Sequence, residues 1–154
     1  MSATPTEALR RLGLELPPAP TPKGSYTPVA RSGKLAWVSG QIVFEAGAVV
    51  QPGAVDRDVS AAAASDLARR ATLQALSALS AELGRLEAIQ RVVRLGVFVA
   101  VSPGFHREHE VANGASDLLI ELFGEAGRGS RTTLGVAGLP LNAPVEVELL
   151  VETG

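Results

Sequence analysis

The chain has 154 residues, of which 46% are hydrophobic and 19% are charged, and its formal net charge is -2 at pH 7. This length fits one domain that buries about two-thirds of its unfolded surface. The slightly acidic balance excludes the basic footprint of a protein that binds phosphate backbones. The absence of cysteine excludes disulfides, thiolate metal sites and cysteine nucleophiles.

The first residues predict a short amphipathic helix followed by an extended arm. Thr4 and Glu7 have capping-box spacing, a proline occupies the first helical position, and leucines follow at helical intervals. Prolines at four of the six positions 17–22 exclude a helix there and favour extended backbone. We therefore expect residues 1–23 to form a helix and a proline-rich arm on the surface of a single domain, residues 24–154.

The same N-terminal stretch has no basic segment leading into an apolar one. Nowhere does the chain contain the run of about 18 apolar residues that a membrane helix needs. We therefore expect neither a signal peptide nor a membrane span, and a cytoplasmic location.

Alternating apolar residues next predict strands. The stretches from Tyr26 to Arg31 and from Leu35 to Ser39 flank a tight turn at Ser32-Gly33-Lys34 and form the first expected hairpin. Gly40 interrupts the run that continues from Gln41 to Phe44. A glycine inside a strand is typical of a bulge or of a close backbone approach.

The middle of the chain predicts the most regular elements. An alanine-rich stretch with leucines at three- and four-residue steps predicts a long helix, with Asp58 as its N-cap, that ends at Leu83 before Gly84. The valine-rich run from Ile89 to Val101 predicts a central strand covered on at least one face. Helical spacing returns from Phe105 to Phe123.

Two further strand patterns follow, separated by a turn that contains glycine, proline and asparagine. The first begins at Arg131, and the second includes Glu146 and Glu148, which alternate by two and so share one face. The pattern predicts a terminal antiparallel hairpin. In it, an arginine at the start of one strand would face carboxylates on the next, which indicates an anion site.

The order of strands, helix, strand, helix and strands predicts a two-layer α+β domain. We expect a mixed sheet of about six strands with two long helices on one face, in addition to the short N-terminal helix.

Arg131 is the strongest candidate for a binding residue. Its guanidinium group offers a rigid bidentate fork to a carboxylate and stays charged at any working pH. The alternative is an ordinary surface arginine, since surface ion pairs are common and contribute only ~0–1 kcal/mol. His106 and His109 have a spacing compatible with a metal site, but their charged neighbours favour a solvated start of a helix.

The motif S-R-T-T-L-G-V-x-x-L-P-x-x-x-x-V-E-V-E, which ends at Glu148, resembles the C-terminal signature of the Rid family, also called YjgF-like. Gly24-Ser25-Tyr26 and Ser39-Gly40-Gln41-Ile42 resemble two other parts of the family pattern, in the same order. The residues that flank Arg131 differ from the archetype and indicate a divergent branch. The resemblance implies a chorismate-mutase-like fold and a homotrimer with pockets between neighbouring subunits, without metal or organic cofactor.

The resemblance also implies roles for single residues. Arg131 matches the arginine that holds the substrate carboxylate, Glu146 matches the glutamate associated with the catalytic water, and Asn113 matches an asparagine on the family's second helix. The implied reaction is hydrolysis of a reactive 2-enamine or 2-imine acid to a 2-keto acid and ammonia.

Other residues of the motifs have weaker assignments. Tyr26 would close the pocket with its ring, although a half-buried strand tyrosine is as readily structural. Gly40, through its backbone, and Thr133 complete the expected substrate-binding residues. Glu148 and Glu152 are expected on a solvated or subunit-contacting face of their strand.

Two other functions stay open at this point. The first is a non-catalytic protein on the same scaffold that binds or senses a small carboxylate. The second is an endoribonuclease, a label that some Rid proteins carry, although the acidic composition and the 4% of aromatic residues argue against it.

Overall fold

The computed structural model describes residues 3–154, and three α-helices and seven strands occur in this part of the chain. They are α1 (Pro5–Arg11), β1 (Val29–Ser32), β2 (Leu35–Gln41), β3 (Phe44–Glu45), β4 (Ala48–Val49), α2 (Ala61–Leu83), β5 (Ile89–Ala100), α3 (Glu108–Phe123), β6 (Ser130–Val136) and β7 (Val145–Thr153). Single 3-10 turns at Leu86–Ala88, Gly124–Gly127 and Pro140–Asn142 connect some of them.

Five of the strands form one mixed sheet in the order β1-β2-β7-β5-β6. β5 and β6 are parallel, and the other neighbours are antiparallel. β3 and β4 form a separate two-stranded hairpin. α2 packs on β2 and β7, α3 packs on β5 and β6, and the two helices contact each other. The predicted two-layer α+β domain with a mixed sheet is confirmed.

The core lies between the helices and one face of the sheet. Along β7 every second residue is buried, from Val145 to Thr153, and β7 lies in the middle of the sheet. Each large apolar side chain buried in this way contributes about 1.5–3 kcal/mol. The opposite face, which we call the open face, carries Trp37, Arg94, Glu146 and Glu148. Among residues 3–154, no helix is long and apolar enough to cross a membrane.

The N-terminal helix is confirmed, and it packs on the domain. Glu7 N–H donates to the Thr4 hydroxyl at 3.2 Å, and Thr4 N–H donates to the Glu7 carboxylate at 2.8 Å, which completes the capping box. Ala8 and Leu9 are buried in the same core as the sheet and the long helices. Beyond α1, the Ser77 hydroxyl donates to the carbonyl oxygen of Pro17 at 2.5 Å and attaches the proline-rich arm to α2.

The predicted start of α2 is wrong by two residues. Ser60 is the N-cap, and its hydroxyl accepts a hydrogen bond from Ala63 N–H at 3.1 Å. Asp58 instead accepts from Ala54 N–H at 2.9 Å and closes the preceding turn. Aspartate and serine are equally strong N-caps, so the turn that uses the Asp58 carboxylate decides between them. The predicted end is confirmed, because Gly84 adopts the left-handed conformation with φ 85°.

The second long helix also begins later than predicted. α3 starts at Glu108, and the buried side chain of Phe105 belongs to the preceding loop. The predicted apolar side of the helix is confirmed by burial of Val111, Ala115 and Leu118 together with Leu119 and Leu122.

The predicted terminal hairpin is wrong. β5 lies between β6 and β7 and pairs with both, in parallel with β6 and antiparallel with β7. The chain leaves β5, crosses through α3 and returns as β6, which is the connection that a parallel pair requires. Alternation of apolar residues identifies the two faces of a strand but not its neighbour, so the pattern fits both arrangements.

The contact between α2 and α3 depends on Gly114. A Cβ atom at this position would overlap the carbonyl oxygen of Ser65 and lie 2.7 Å from its hydroxyl oxygen. Alanine is favoured over glycine in a helix by about 1 kcal/mol, but overpacking costs about 1–3 kcal/mol. Because the overlap is with backbone, the upper part of the cost applies, and we expect Gly114→Ala to lower the free energy of unfolding by about 1–2 kcal/mol in urea titrations. Gly138→Ala is the control, because no atom lies within 4 Å of the added methyl group. Equal unfolding midpoints for the two variants would contradict this prediction.

Candidate functional site

Five of the six candidate residues line two different cavities of the chain. Tyr26, Gly40 and Glu146 line a cavity of about 330 Å³, bounded by the proline-rich arm, the end of β2 and β7. Arg131 and Asn113 line a cavity of about 260 Å³ between β6 and α3. We call these the Glu146 cavity and the Arg131 cavity.

Arg131 is oriented by neutral groups of α3. One guanidinium nitrogen, Nη1, donates to Asn113 Oδ1 at 2.8 Å and to Ser116 Oγ at 3.1 Å. The other, Nη2, donates to the carbonyl oxygen of His109 at 3.4 Å. Within residues 3–154, no carboxylate forms an ion pair with Arg131. The side chain is therefore held in place while its positive charge stays available to an anion.

Strand register decides which way Arg131 points. Arg131 pairs with Leu95 of β5, whose side chain is buried under the helices, so the arginine reaches toward α3. Glu146 alternates with the buried Val145 and Val147 and so lies on the open face. The expected arrangement of an arginine facing carboxylates within one chain is wrong, because the two side chains lie on opposite faces of the sheet.

Glu146 lies against the backbone of β2. A Cβ atom at position 40 would overlap Oε1 of Glu146, so the carboxyl group in this position occupies space that glycine leaves free. The register of β2 against β7 shifts between Val38 and Gln41, and this irregularity confirms the bulge, one of the two interpretations of Gly40. Burial, and to a smaller extent the negative charge of Glu148, raise the pKa of Glu146 above its ordinary value. A raised pKa makes the carboxylate a better proton acceptor near neutral pH.

Glu148 has a partner within the chain. Its Oε1 lies 2.6 Å from Nη1 of Arg94, and both side chains are partly buried on the open face. Gly96 stands opposite on β5 and leaves room for Glu148, since a Cβ there would lie 2.7 Å from its Cγ. Glu148 is thus occupied by an ion pair and acts on Glu146 through its charge.

Tyr26 and Thr133 have different surroundings from those expected. Tyr26 precedes β1, which begins at Val29, and 54% of its surface is exposed, so it is not a half-buried strand residue. Its hydroxyl oxygen accepts a hydrogen bond from Lys23 N–H at 3.4 Å. Thr133 lies two residues beyond Arg131, and its hydroxyl is buried without a hydrogen-bond partner in the described chain. Thr133 lines neither cavity.

Sequence reasoning missed three residues of these cavities. Ser116 follows Asn113 by three positions on α3, a spacing that shares a helix face and identifies it once Asn113 is chosen. Lys23 and Gln74 line the Glu146 cavity. The sequence places Lys23 in the surface arm and does not connect it with the site. The sequence around Gln74 contains no signal that distinguishes it from the rest of α2.

In the described residues, no group of three or more histidine, aspartate or glutamate side chains could hold a metal ion. His106 lies before α3 and His109 lies in its first turn, and both are exposed.

Nearly the whole chain matches one protein family, and the fold agrees with the description of that family. Residues 7–153 match the family described as YjgF/chorismate mutase-like, putative endoribonuclease. The chain therefore belongs to this family, and the resemblance to the Rid or YjgF-like proteins is confirmed.

Individual relatives agree in sequence and in structure. Protein TCP17 of Trypanosoma cruzi is 42% identical over 145 residues, which are 94% of this chain and 91% of that protein. A crystal structure of a protein of unknown function from Agrobacterium tumefaciens has a TM-score of 0.88 at 40% identity, and covers 97% of this chain and 92% of its own. The crystal structure of a putative endoribonuclease from Shewanella oneidensis has a TM-score of 0.93 at 34% identity. The match covers 97% of this chain and 99% of that one.

Proposed function

We propose that the protein hydrolyses reactive 2-enamine or 2-imine acids to 2-keto acids and ammonia. The observation that carries the proposal is the guanidinium group of Arg131, which three neutral acceptors on α3 orient without neutralising it. A planar cation fixed in this way fits the carboxylate that every such substrate carries. Binding at Arg131 would set the distance and angle at which water meets the C=N carbon.

Glu146 supplies the proton acceptor in this proposal. Water attacks the C=N carbon and forms the C–O bond as Glu146 accepts one of its protons. Glu146 returns that proton to the nitrogen, which also takes the proton of the new hydroxyl group. The C–N bond then breaks, ammonia leaves, and the carbonyl of the 2-keto acid forms. The raised pKa of Glu146 suits both the uptake of the proton and its return to the leaving nitrogen.

The proposed site needs two copies of the chain. Arg131 and Glu146 lie on opposite faces of one sheet, so a small substrate cannot contact both side chains of the same chain. An assembly that brings the Arg131 cavity of one subunit beside the Glu146 cavity of the next would unite them. A closed ring with one repeated head-to-tail interface satisfies this requirement at every subunit, and a homotrimer is the smallest ring that fits the family resemblance.

RNA is a less favoured substrate, although the family description and the name of the Shewanella oneidensis relative carry the word endoribonuclease. The net charge of -2 offers no sequence-wide attraction to a phosphate backbone. Trp37 lies on the open face between Ala36 and Val38, two buried core residues, and not in a basic groove where bases stack.

The test is the hydrolysis of 2-iminobutanoate and 2-iminopropanoate, generated in solution by an amino-acid dehydratase or oxidase. We expect the protein to accelerate loss of the imine and release of ammonia above the spontaneous rate. If it does not, and 2-oxobutanoate still raises its melting temperature, a binding or sensing role takes the place of the deaminase.

A further inference from the structure

The Glu146 cavity contains a charged group that the proposed hydrolysis does not use. Its lining includes Lys23 of the proline-rich arm and an apolar wall formed by Ile42, Phe44 and Leu141. Within the part of the chain that the structure describes, Lys23 is the one cation of this lining and Glu146 the one carboxylate. The cavity therefore combines two opposite charges with an apolar surface.

Lys23 is positioned by several contacts. Its Nζ lies 3.8 Å from the centroid of the Phe44 ring, and its backbone N–H donates to the Tyr26 hydroxyl at 3.4 Å. A cation over an aromatic face gains about 0.5–1 kcal/mol at an exposed site, which favours this orientation without neutralising the charge. Among residues 3–154, no carboxylate forms an ion pair with Lys23. The ammonium group is therefore available to an anion.

The ammonium group and the Glu146 carboxylate occupy separate places in the cavity. They form no ion pair, so the two charged groups are not in direct contact. A ligand whose reacting carbon lies beside Glu146 thus needs a further group to reach Lys23.

The size of the cavity agrees with an extended ligand. Its volume is about 330 Å³. This lies within the range of roughly 300–1,000 Å³ for cavities that enclose ligands much larger than a three- or four-carbon acid. A substrate as small as 2-iminopropanoate would leave most of this space, including the wall at Phe44, to water.

We propose that the preferred substrate is a 2-imino acid whose side chain ends in an anionic group, and that Lys23 binds that group. This inference rests on the proposed function and names the substrate class of the same site. The carboxylate beside the reacting carbon would bind Arg131 of the neighbouring subunit, the C=N carbon would lie beside Glu146, and the second anion would lie at Lys23. Lys23 is then a specificity-determining residue, supplied by the N-terminal arm.

The experiment compares 2-iminoglutarate with 2-iminobutanoate as substrates of the full-length protein. We expect Lys23→Ala to raise KM for 2-iminoglutarate about tenfold and to change KM for 2-iminobutanoate less than about twofold, since one charged hydrogen bond is lost. Lys23→Arg should keep most of the preference. Lys34→Ala is the matched control, because Lys34 is the other lysine of the chain and lies exposed at the turn between β1 and β2.

Two results would overturn the assignment. An equal rise in KM for both substrates would mean that Lys23 does not bind the side-chain anion. Unchanged KM values would mean that Lys23 contacts neither substrate.

If the wild-type protein hydrolyses neither imine, the proposed function fails, and thermal shifts test Lys23 separately. In that case 2-oxoglutarate should stabilise the wild type more than 5-methyl-2-oxohexanoate, an isostere whose side chain is uncharged, and Lys23→Ala should abolish the difference. Equal stabilisation of wild type and variant would dismiss Lys23 as an anion-binding residue.

Discussion

Replacing Arg131 by alanine should lower kcat/KM for 2-iminobutanoate about 100- to 10,000-fold. The guanidinium group offers two charge-assisted hydrogen bonds to the substrate carboxylate, and each contributes about 1.5–3 kcal/mol. A loss of about 1.4 kcal/mol in transition-state binding lowers the rate tenfold. The measurement is a steady-state assay of ammonia release with imine generated in place.

The fold should tolerate this change, because Arg131 is exposed and its partners Asn113 and Ser116 are neutral. Arg107→Ala is the matched control, since Arg107 also lies at α3 but is paired with Glu110 at 3.2 Å. Its kcat/KM should stay within about twofold of wild type, in line with the small contribution of surface ion pairs. Unchanged turnover in Arg131→Ala, with the wild type active, would remove the arginine from the mechanism.

Replacing Glu146 by glutamine should lower kcat about 100- to 10,000-fold and leave KM nearly unchanged, because general acid and base catalysis contributes a factor of this size. Glutamine keeps the shape of the side chain against Gly40 but cannot accept the proton. Glu152→Gln is the control on the same face of β7, at the far end of the strand. An equal loss of kcat in both variants would point to a general effect of charge on this face.

The raised pKa of Glu146 also predicts how stability depends on pH. Folding favours the neutral carboxyl group, so its contribution to stability is present below the unfolded pKa and is lost as pH rises through the higher folded pKa. Glutamine is neutral throughout. Glu146→Gln should therefore raise the melting temperature at pH 7–8 and have less effect near pH 4, and kcat/KM of the wild type should rise with pH through the folded pKa. An equal shift of the melting temperature at both pH values would contradict the burial of the charge.

The two inactive variants together test whether the site spans two subunits. Co-expressed in equal amounts, chains with Arg131→Ala and chains with Glu146→Gln would form mixed rings in which about one site in four joins an intact Arg131 to an intact Glu146. We expect roughly a quarter of wild-type activity from such rings. Activity no higher than that of the single variants would mean that each site uses residues of one chain.

Much of the secondary structure follows from local patterns. The capping box at Thr4, the leucine steps of α2 and the left-handed Gly84 all depend on residues close together in the chain, and all three predictions are confirmed. The error in the start of α2 is also local in origin. The carboxylate of Asp58 accepts from Ala54 N–H, four residues earlier, and a capping pattern that looks forward into the helix does not include that contact.

The sequence by itself determined the family, the helices and the residue types available for binding an anion and accepting a proton. Only the tertiary structure decided how the strands pair, because alternation records the two faces of a strand and not its neighbours. The insertion of β5 between β6 and β7 separates Arg131 from Glu146, and the register against Leu95 directs the arginine to α3. The structure also brought Lys23 into the Glu146 cavity, because its contacts with Tyr26 and with Phe44 of β3 hold the arm there. No local pattern pairs a residue of the arm with that hairpin.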